Sequence, residues 1–181
     1  MEQAIKNINR AGEIFMYTVW LQSQMSDLII LKKNPSFVKP FIENPKVIPV
    51  DMATQRTVYW EKHFGTVKEE FKAEFAVFLT TDEIKDLESL FHIRNMLAHA
   101  HVSVGRAYML YRPAGGEKKE KALIEALDLK PIENQGKPMM LKIEFWKDDV
   151  YLNAFNKIKR LDEFCFEKLS KAIGVPHPRI R

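Results

Sequence analysis

Four prolines, Pro35, Pro40, Pro45 and Pro49, fall within fifteen residues directly after a long stretch of helical periodicity. Together these two features constrain the fold more than anything else in the chain. Over residues 2–33, Ile5, Ile8, Ile14, Phe15, Val19, Met25, Leu28 and Ile29 recur at three-to-four spacing, which predicts one long helix. Asn34-Pro35 ends it, because proline disfavours helical backbone in the residue before it. A proline every five residues or so fits neither a long helix nor a central strand. Residues 34–50 are therefore expected to be an ordered loop packed by Phe37, Val38, Phe41, Val47 and Ile48, or a mobile flap.

Downstream the helical signals return. Asp51 is a good N-cap for a helix to His63, with Gly65 as its stop. Thr66 with Glu69 matches a capping box, followed by Val67, Phe71, Phe75 and Phe78 on one side. Thr80 with Glu83 is a second box, opening a helix through Ile84, Leu87, Leu90 and Phe91 to about His101. From Val102 to Trp146 the pattern changes. VSVGRAYMLYRP and KPMMLKIEFW read as strands, Pro113–Gly116 with EKKEK as an exposed charged turn. KALIEALDL fits a strand or a helix and is taken as a strand. Asp148 or Asp149 caps a final helix burying Tyr151, Phe155, Ile158, Leu161, Cys165, Leu169 and Ala172, which Gly174 and Pro176 end. The expected fold is mainly α, a single domain over residues 1–181, as a helical bundle with a small β insertion (about 102–146) before the last helix.

Composition narrows the function classes. A hydrophobic fraction of 46% with 29% charged residues builds and covers a core, which excludes a disordered tail or a collagen-like repeat. Lys and Arg exceed Asp and Glu by 28 to 24, a net +4 that permits contact with nucleic acid without demanding it. A lone cysteine, Cys165, supplies neither an internal disulfide nor a zinc cluster, so a reducing, cytoplasmic setting is expected. The opening MEQAIKNINRAGEIFMY lacks the unbroken apolar stretch of a secretory signal. The longest span candidate, Ile14 to Leu31, is interrupted by Gln22, Gln24 and Asp27, so no membrane association is expected.

No glycine-rich phosphate loop, His-Glu-x-x-His or Cys-x-x-Cys is present. The chemistry concentrates in FHIRNMLAHAHVS, residues 91–103. On a helix Glu88, His92, Asn95 and His99 form one polar stripe. Ile84, Leu87, Phe91 and Ala98 form an apolar one, and Arg94 sits within it, roughly 140° around from His99. A guanidinium on a core-facing position is expensive unless something anionic meets it. An imidazole that titrates near neutrality, a fixed guanidinium and an amide are what metal-free cleavage of an RNA phosphodiester requires. The imidazole moves the 2′-hydroxyl or 5′-oxygen proton, and the guanidinium stabilises the added phosphate charge.

Arg94-Asn95-Met96-Leu97-Ala98-His99 resembles the Arg-Asn-x-x-x-His form of the motif of HEPN-domain proteins, set late in a long helix of an all-helical bundle. The resemblance implies an antiparallel HEPN-like bundle and a homodimer whose two motif copies build one composite site. It also implies a ribonuclease, often a toxin with an antitoxin or other protein partner, that leaves a 2′,3′-cyclic phosphate and a 5′-hydroxyl without cofactor or metal. By it, Arg94 binds phosphate, His99 is general acid or base, and Asn95 is the polar residue after the Arg.

Competing readings stand beside this one. Arg94 could form a structural salt bridge to Asp27 or Asp86. His92 and His101 flank the motif as candidate binding residues, and Glu88 could fix a histidine tautomer. Lys137, Lys142, Arg106 and Arg112 could line an RNA path or only keep the surface soluble. The tail HPRIR reads as a flexible basic end, Cys165 as an inert buried thiol, and Tyr17, Trp20, Phe71, Phe75 and Phe78 as core. A non-catalytic HEPN-like module that holds nucleotide, RNA or a protein partner is the alternative function.

Overall fold

The computed structural model describes residues 2–44, 47–102, 105–113, 117–129 and 140–177. The fold is mainly α with a small antiparallel sheet. Helix α1 (Glu2–Lys33) is followed by a 3-10 turn (Pro35–Phe37), α2 (Val38–Glu43), α3 (Val50–Trp60), α4 (Phe64–Glu74) and α5 (Thr81–His99). Strands β1 (His101–Val102) and β2 (Met109–Tyr111), helix α6 (Glu117–Leu127) and strand β3 (Leu141–Ile143) come next. Helix α7 (Asp148–Arg160) then runs through a π-helical turn (Leu161–Phe166) into α8 (Glu167–Ile173). None of the helices among the described residues is long and apolar enough to cross a membrane.

The chain divides into two compact units. One comprises Met1–Thr18 with Glu88–Ile158, the other Val19–Leu87 with Lys159–Arg181. In the first, the sheet has the order β1-β2-β3, with Met109 opposite Ile143 and Leu110 opposite both His101 and Lys142. Met109, Leu141 and Ile143 are buried with Leu123, Ala126 and Leu127 of α6 and Ala154 and Ile158 of α7. The start of α1 grips the turn between β3 and α7 with polar groups. Arg10 donates to the carbonyls of Phe145 and Trp146 at 3.1 Å each and pairs with Asp148 at 2.7 Å. Asn7, nearly fully buried, accepts from the Trp146 backbone N–H at 3.2 Å. This explains why Ile5 and Ile8, expected in the core, are about half exposed, whereas Asn7 and Ala11 are inside. The apolar period is overridden where the helix must satisfy a buried turn.

In the second unit Leu21, Met25, Leu28, Ile29, Phe64, Phe71, Phe75, Leu161, Cys165 and Phe166 are buried. Bidentate pairs rim this core: Arg56 with Asp27 (2.7 and 2.6 Å) and Arg160 with Asp86 (2.9 and 2.7 Å). Both acids weighed as partners for Arg94 are thus engaged by other arginines. The Thr80–Glu83 capping box forms reciprocally: Glu83 Oε2 accepts from the Thr80 N–H at 2.7 Å, and Thr80 Oγ1 from the Glu83 N–H at 3.2 Å.

Several expectations are corrected. The Thr66–Glu69 box does not start a helix, because α4 begins at Phe64. Phe64, Val67, Lys68 and Phe71 bury one continuous face, so the helix extends back across Gly65. Asp51 lies in the first turn of α3, whose N-cap is Pro49. The proline-rich segment holds a 3-10 turn and a short helix and buries none of their residues. KALIEALDL is largely helical: Leu123, Ala126 and Leu127 are buried at helical spacing, and the charged EKKEK is the opening of α6. The stretch 102–146 is therefore mixed α and β. The π turn shifts the face of the last helix, leaving Ala172 exposed and Ser170 buried. Phe78 is exposed. His177 is not part of a loose tail but a buried partner of Asp162, in ring contact with Trp20 and Phe166. Ala114–Gly116, Lys137 and the last four residues lie outside the described residues.

Candidate active site

Helix α5 supplies three polar side chains to one cavity. Capped at Thr80, it presents His92, Asn95 and His99 at spacings of three and four, and all three line a cleft of about 290 Å³. Phe91 stands beside His92 in an edge-on ring contact at 5.3 Å. The opposite wall comes from β2 and α6: Tyr111, Pro113, Lys119 and Leu123. Alternation along β2 directs Tyr111 here once Met109 has entered the core. Lys119 and Leu123 arrive together because four residues make one helical turn. Burial pushes the Tyr111 phenol above its ordinary range, so it stays a neutral donor or acceptor at working pH.

Arg94 does not line this cleft. The buried face of α5 is formed by Leu87, Leu90, Ile93 and Met96, whereas Ile84 and Phe91 are half-buried and Ala98 is exposed. Arg94 lies at the edge of that face, half-buried, with its guanidinium carbon 5.8 Å from the centre of the Phe15 ring. Desolvation lowers its pKa from the ordinary guanidinium value. The structure thus brings His92, Asn95 and His99 together and sets Arg94 on another side of the same helix. Glu88 is half-buried on α5 outside the cleft lining, and His101 is exposed on β1.

Tyr111 and Lys119 were not singled out from sequence. Lys119 was hidden in a run read as a charged turn, and its signal was the spacing to Leu123 once α6 is taken as helix. No cluster of three or more His, Cys, Asp or Glu side chains suited to a metal occurs among the described residues. Cys165 is fully buried and its thiol is pushed up to about 12, mainly by burial. No family model, curated protein or solved structure matches the chain.

Proposed function

We propose that the chain is an endoribonuclease that cuts RNA by 2′-hydroxyl attack at the α5 cleft, with no need of a metal. The observation carrying this reading is the convergence of two imidazoles, an amide and an ammonium on one cavity. His92 and His99 are seven residues apart, about 10.5 Å along the helix axis, with Asn95 between them. A phosphodiester held over Asn95 is within reach of both rings. One imidazole, assigned to His99, accepts the 2′-hydroxyl proton, and the other protonates the leaving 5′-oxygen. Lys119 offsets the charge that builds on the phosphoryl oxygens. The resemblance at residues 94–99 adds a homodimer in which Arg94 reaches the phosphate bound by the other copy, and a toxin or defence role with an antitoxin or other protein partner.

The test is cleavage of RNA by purified protein in excess EDTA, with the product ends identified. Wild type is expected to leave cyclic phosphate and 5′-hydroxyl ends. Folded His99→Ala is expected to be slower by about a hundredfold or more, with a smaller loss for Lys119→Ala. Absence of cleavage across varied RNAs, or undiminished cleavage by His99→Ala, would refute the reading. One observation favours binding without cutting: Arg94 is turned to Phe15 and not into the cleft. On that second reading the same proteins bind nucleotide or RNA with His99-dependent affinity and release no product.

A further inference from the structure

The small sheet has a second face that the cleft does not use. Met109, Leu141 and Ile143 point inward, so Leu110, with its cross-strand neighbours His101 and Lys142, belongs to the outer face. Basic groups gather there. Lys142 Nζ lies 4.9 Å and the Arg106 guanidinium carbon 5.7 Å from the centre of the Tyr108 ring, and Arg106 also donates to the Tyr108 hydroxyl. The carboxylate at this face, Glu144, is shared between Lys142 at 2.9 Å and Lys147 at 2.7 Å. Lys142 thus stands between Glu144, which it shares with Lys147, and the Tyr108 ring, which it shares with Arg106. Arg112, just past the end of β2, is exposed.

Arg106 and Lys142 each gain from contact with the ring but repel one another, and a polyanion laid across them relieves that repulsion. The arrangement suits a ligand that brings repeated negative charge. β2 links this face to the cleft: Tyr111 lines the cavity, Arg112 follows it, and Tyr108 lies about 10 Å back along the strand. We infer that the outer face of the sheet is a docking track for the phosphodiester backbone of single-stranded RNA, which passes Arg112 to reach the α5 cleft. This rests on the ribonuclease reading for the identity of the polyanion. A sheet three strands wide measures about 10 Å between its outer strands, which suits one polynucleotide strand.

The test separates the track from the chemistry. Binding of a short, uncleavable 2′-O-methyl RNA to the full chain is followed by fluorescence anisotropy over a salt series. Arg106→Ser with Lys142→Ser is expected to weaken binding about tenfold and to reduce the slope of log K against log salt by about 1.4, at about 0.7 per cation lost. Lys121→Ser, which removes an exposed cation paired with Glu117 on α6, is expected to stay within about twofold. The charge-conserving pair Arg106→Lys with Lys142→Arg is expected to bind nearly as wild type, which guards against a mere loss of folding. An unchanged salt slope in the double serine variant overturns the track, as does competition by polyglutamate as strong as by RNA. If wild type binds through this face yet never cleaves, only the ribonuclease reading fails. If the double serine variant cleaves a dinucleotide and a long RNA as fast as wild type does, the track fails and the ribonuclease stands.

Discussion

Glu70 on α4 is the hub of an ionic cluster in the second unit, and its replacement by glutamine gives a quantitative test. Its carboxylate accepts from Lys33 and Lys62 at 2.7 Å each and from the Tyr59 hydroxyl at 2.6 Å. Burial by itself would raise the acid's pKa. The bonds from Lys33, Lys62 and Tyr59 reverse that and bring it from the ordinary 4.5 down to about 2. A carboxyl held that low is worth about 3 kcal/mol at neutral pH, taking 1.36 kcal/mol per pH unit. Lys33 is 43% exposed and Lys62 28%, so screening by solvent reduces the expectation to about 1–2 kcal/mol.

The sign follows from linkage. A carboxyl whose folded pKa is depressed stabilises the native state above its unfolded value and loses that contribution as pH falls toward its folded value. Glu70→Gln should therefore cost about 1–2 kcal/mol in urea denaturation at pH 7, and the gap to wild type should shrink to roughly half at pH 3. Other carboxylates titrate in both proteins and cancel in the difference. A gap that is absent at pH 7, or the same at both pH values, would show that the cluster is solvated and contributes no net charge pairing.

Three further outcomes are expected. Thr80→Ala removes the oxygen that caps the Glu83 N–H and should destabilise by about 1 kcal/mol with an unchanged urea m-value. Gly174 ends α8 at φ +79° with nothing within 4 Å of an added Cβ, so Gly174→Ala should lose about 1 kcal/mol from backbone strain alone, and Gly174→Asn less. If a dimer holds two clefts, each completed by the Arg94 of the other copy, an equal mixture of inactive Arg94→Ala and His99→Ala chains should recover about a quarter of wild-type cleavage, since random pairing restores one of the two clefts in half the dimers. No recovery after subunit exchange refutes that arrangement.

What the sequence revealed depended on how local the governing forces were. The Thr80–Glu83 box was legible because both of its bonds close within four residues. The Thr66–Glu69 pair has the same letters, but the buried face of Phe64, Val67 and Phe71 decides where α4 begins. In α1 the periodicity named Ile14, Met25, Leu28 and Ile29 correctly and missed Asn7, whose burial depends on a backbone N–H 139 residues away. KALIEALDL is a short apolar run whose letters serve either period, and only its burial at helical spacing assigns it to α6. Of the α5 stripe, His92, Asn95 and His99 were legible from angle alone while Glu88 falls outside the cleft, and the opposite wall was not legible, since Tyr111 and Lys119 reach it through tertiary folding.

Helical rotation also limits how the residues of the motif can cooperate. Five residues of α-helix turn the side-chain direction by about 140°, so Arg94 and His99 of one chain point away from one another while α5 stays helical. Helix α5 is continuous from Thr81 to His99, and the side chains land where that rotation sends them: His99 in the cleft, Arg94 over Phe15. Within one chain the cation beside the imidazoles is accordingly Lys119. A reaction that uses Arg94 as it is placed here takes it from a second chain, whereas one that proceeds in a monomer uses Lys119. Loss of activity on Lys119→Ala, on Arg94→Ala or on both therefore reports the geometry of the reacting complex as well as the identity of its residues.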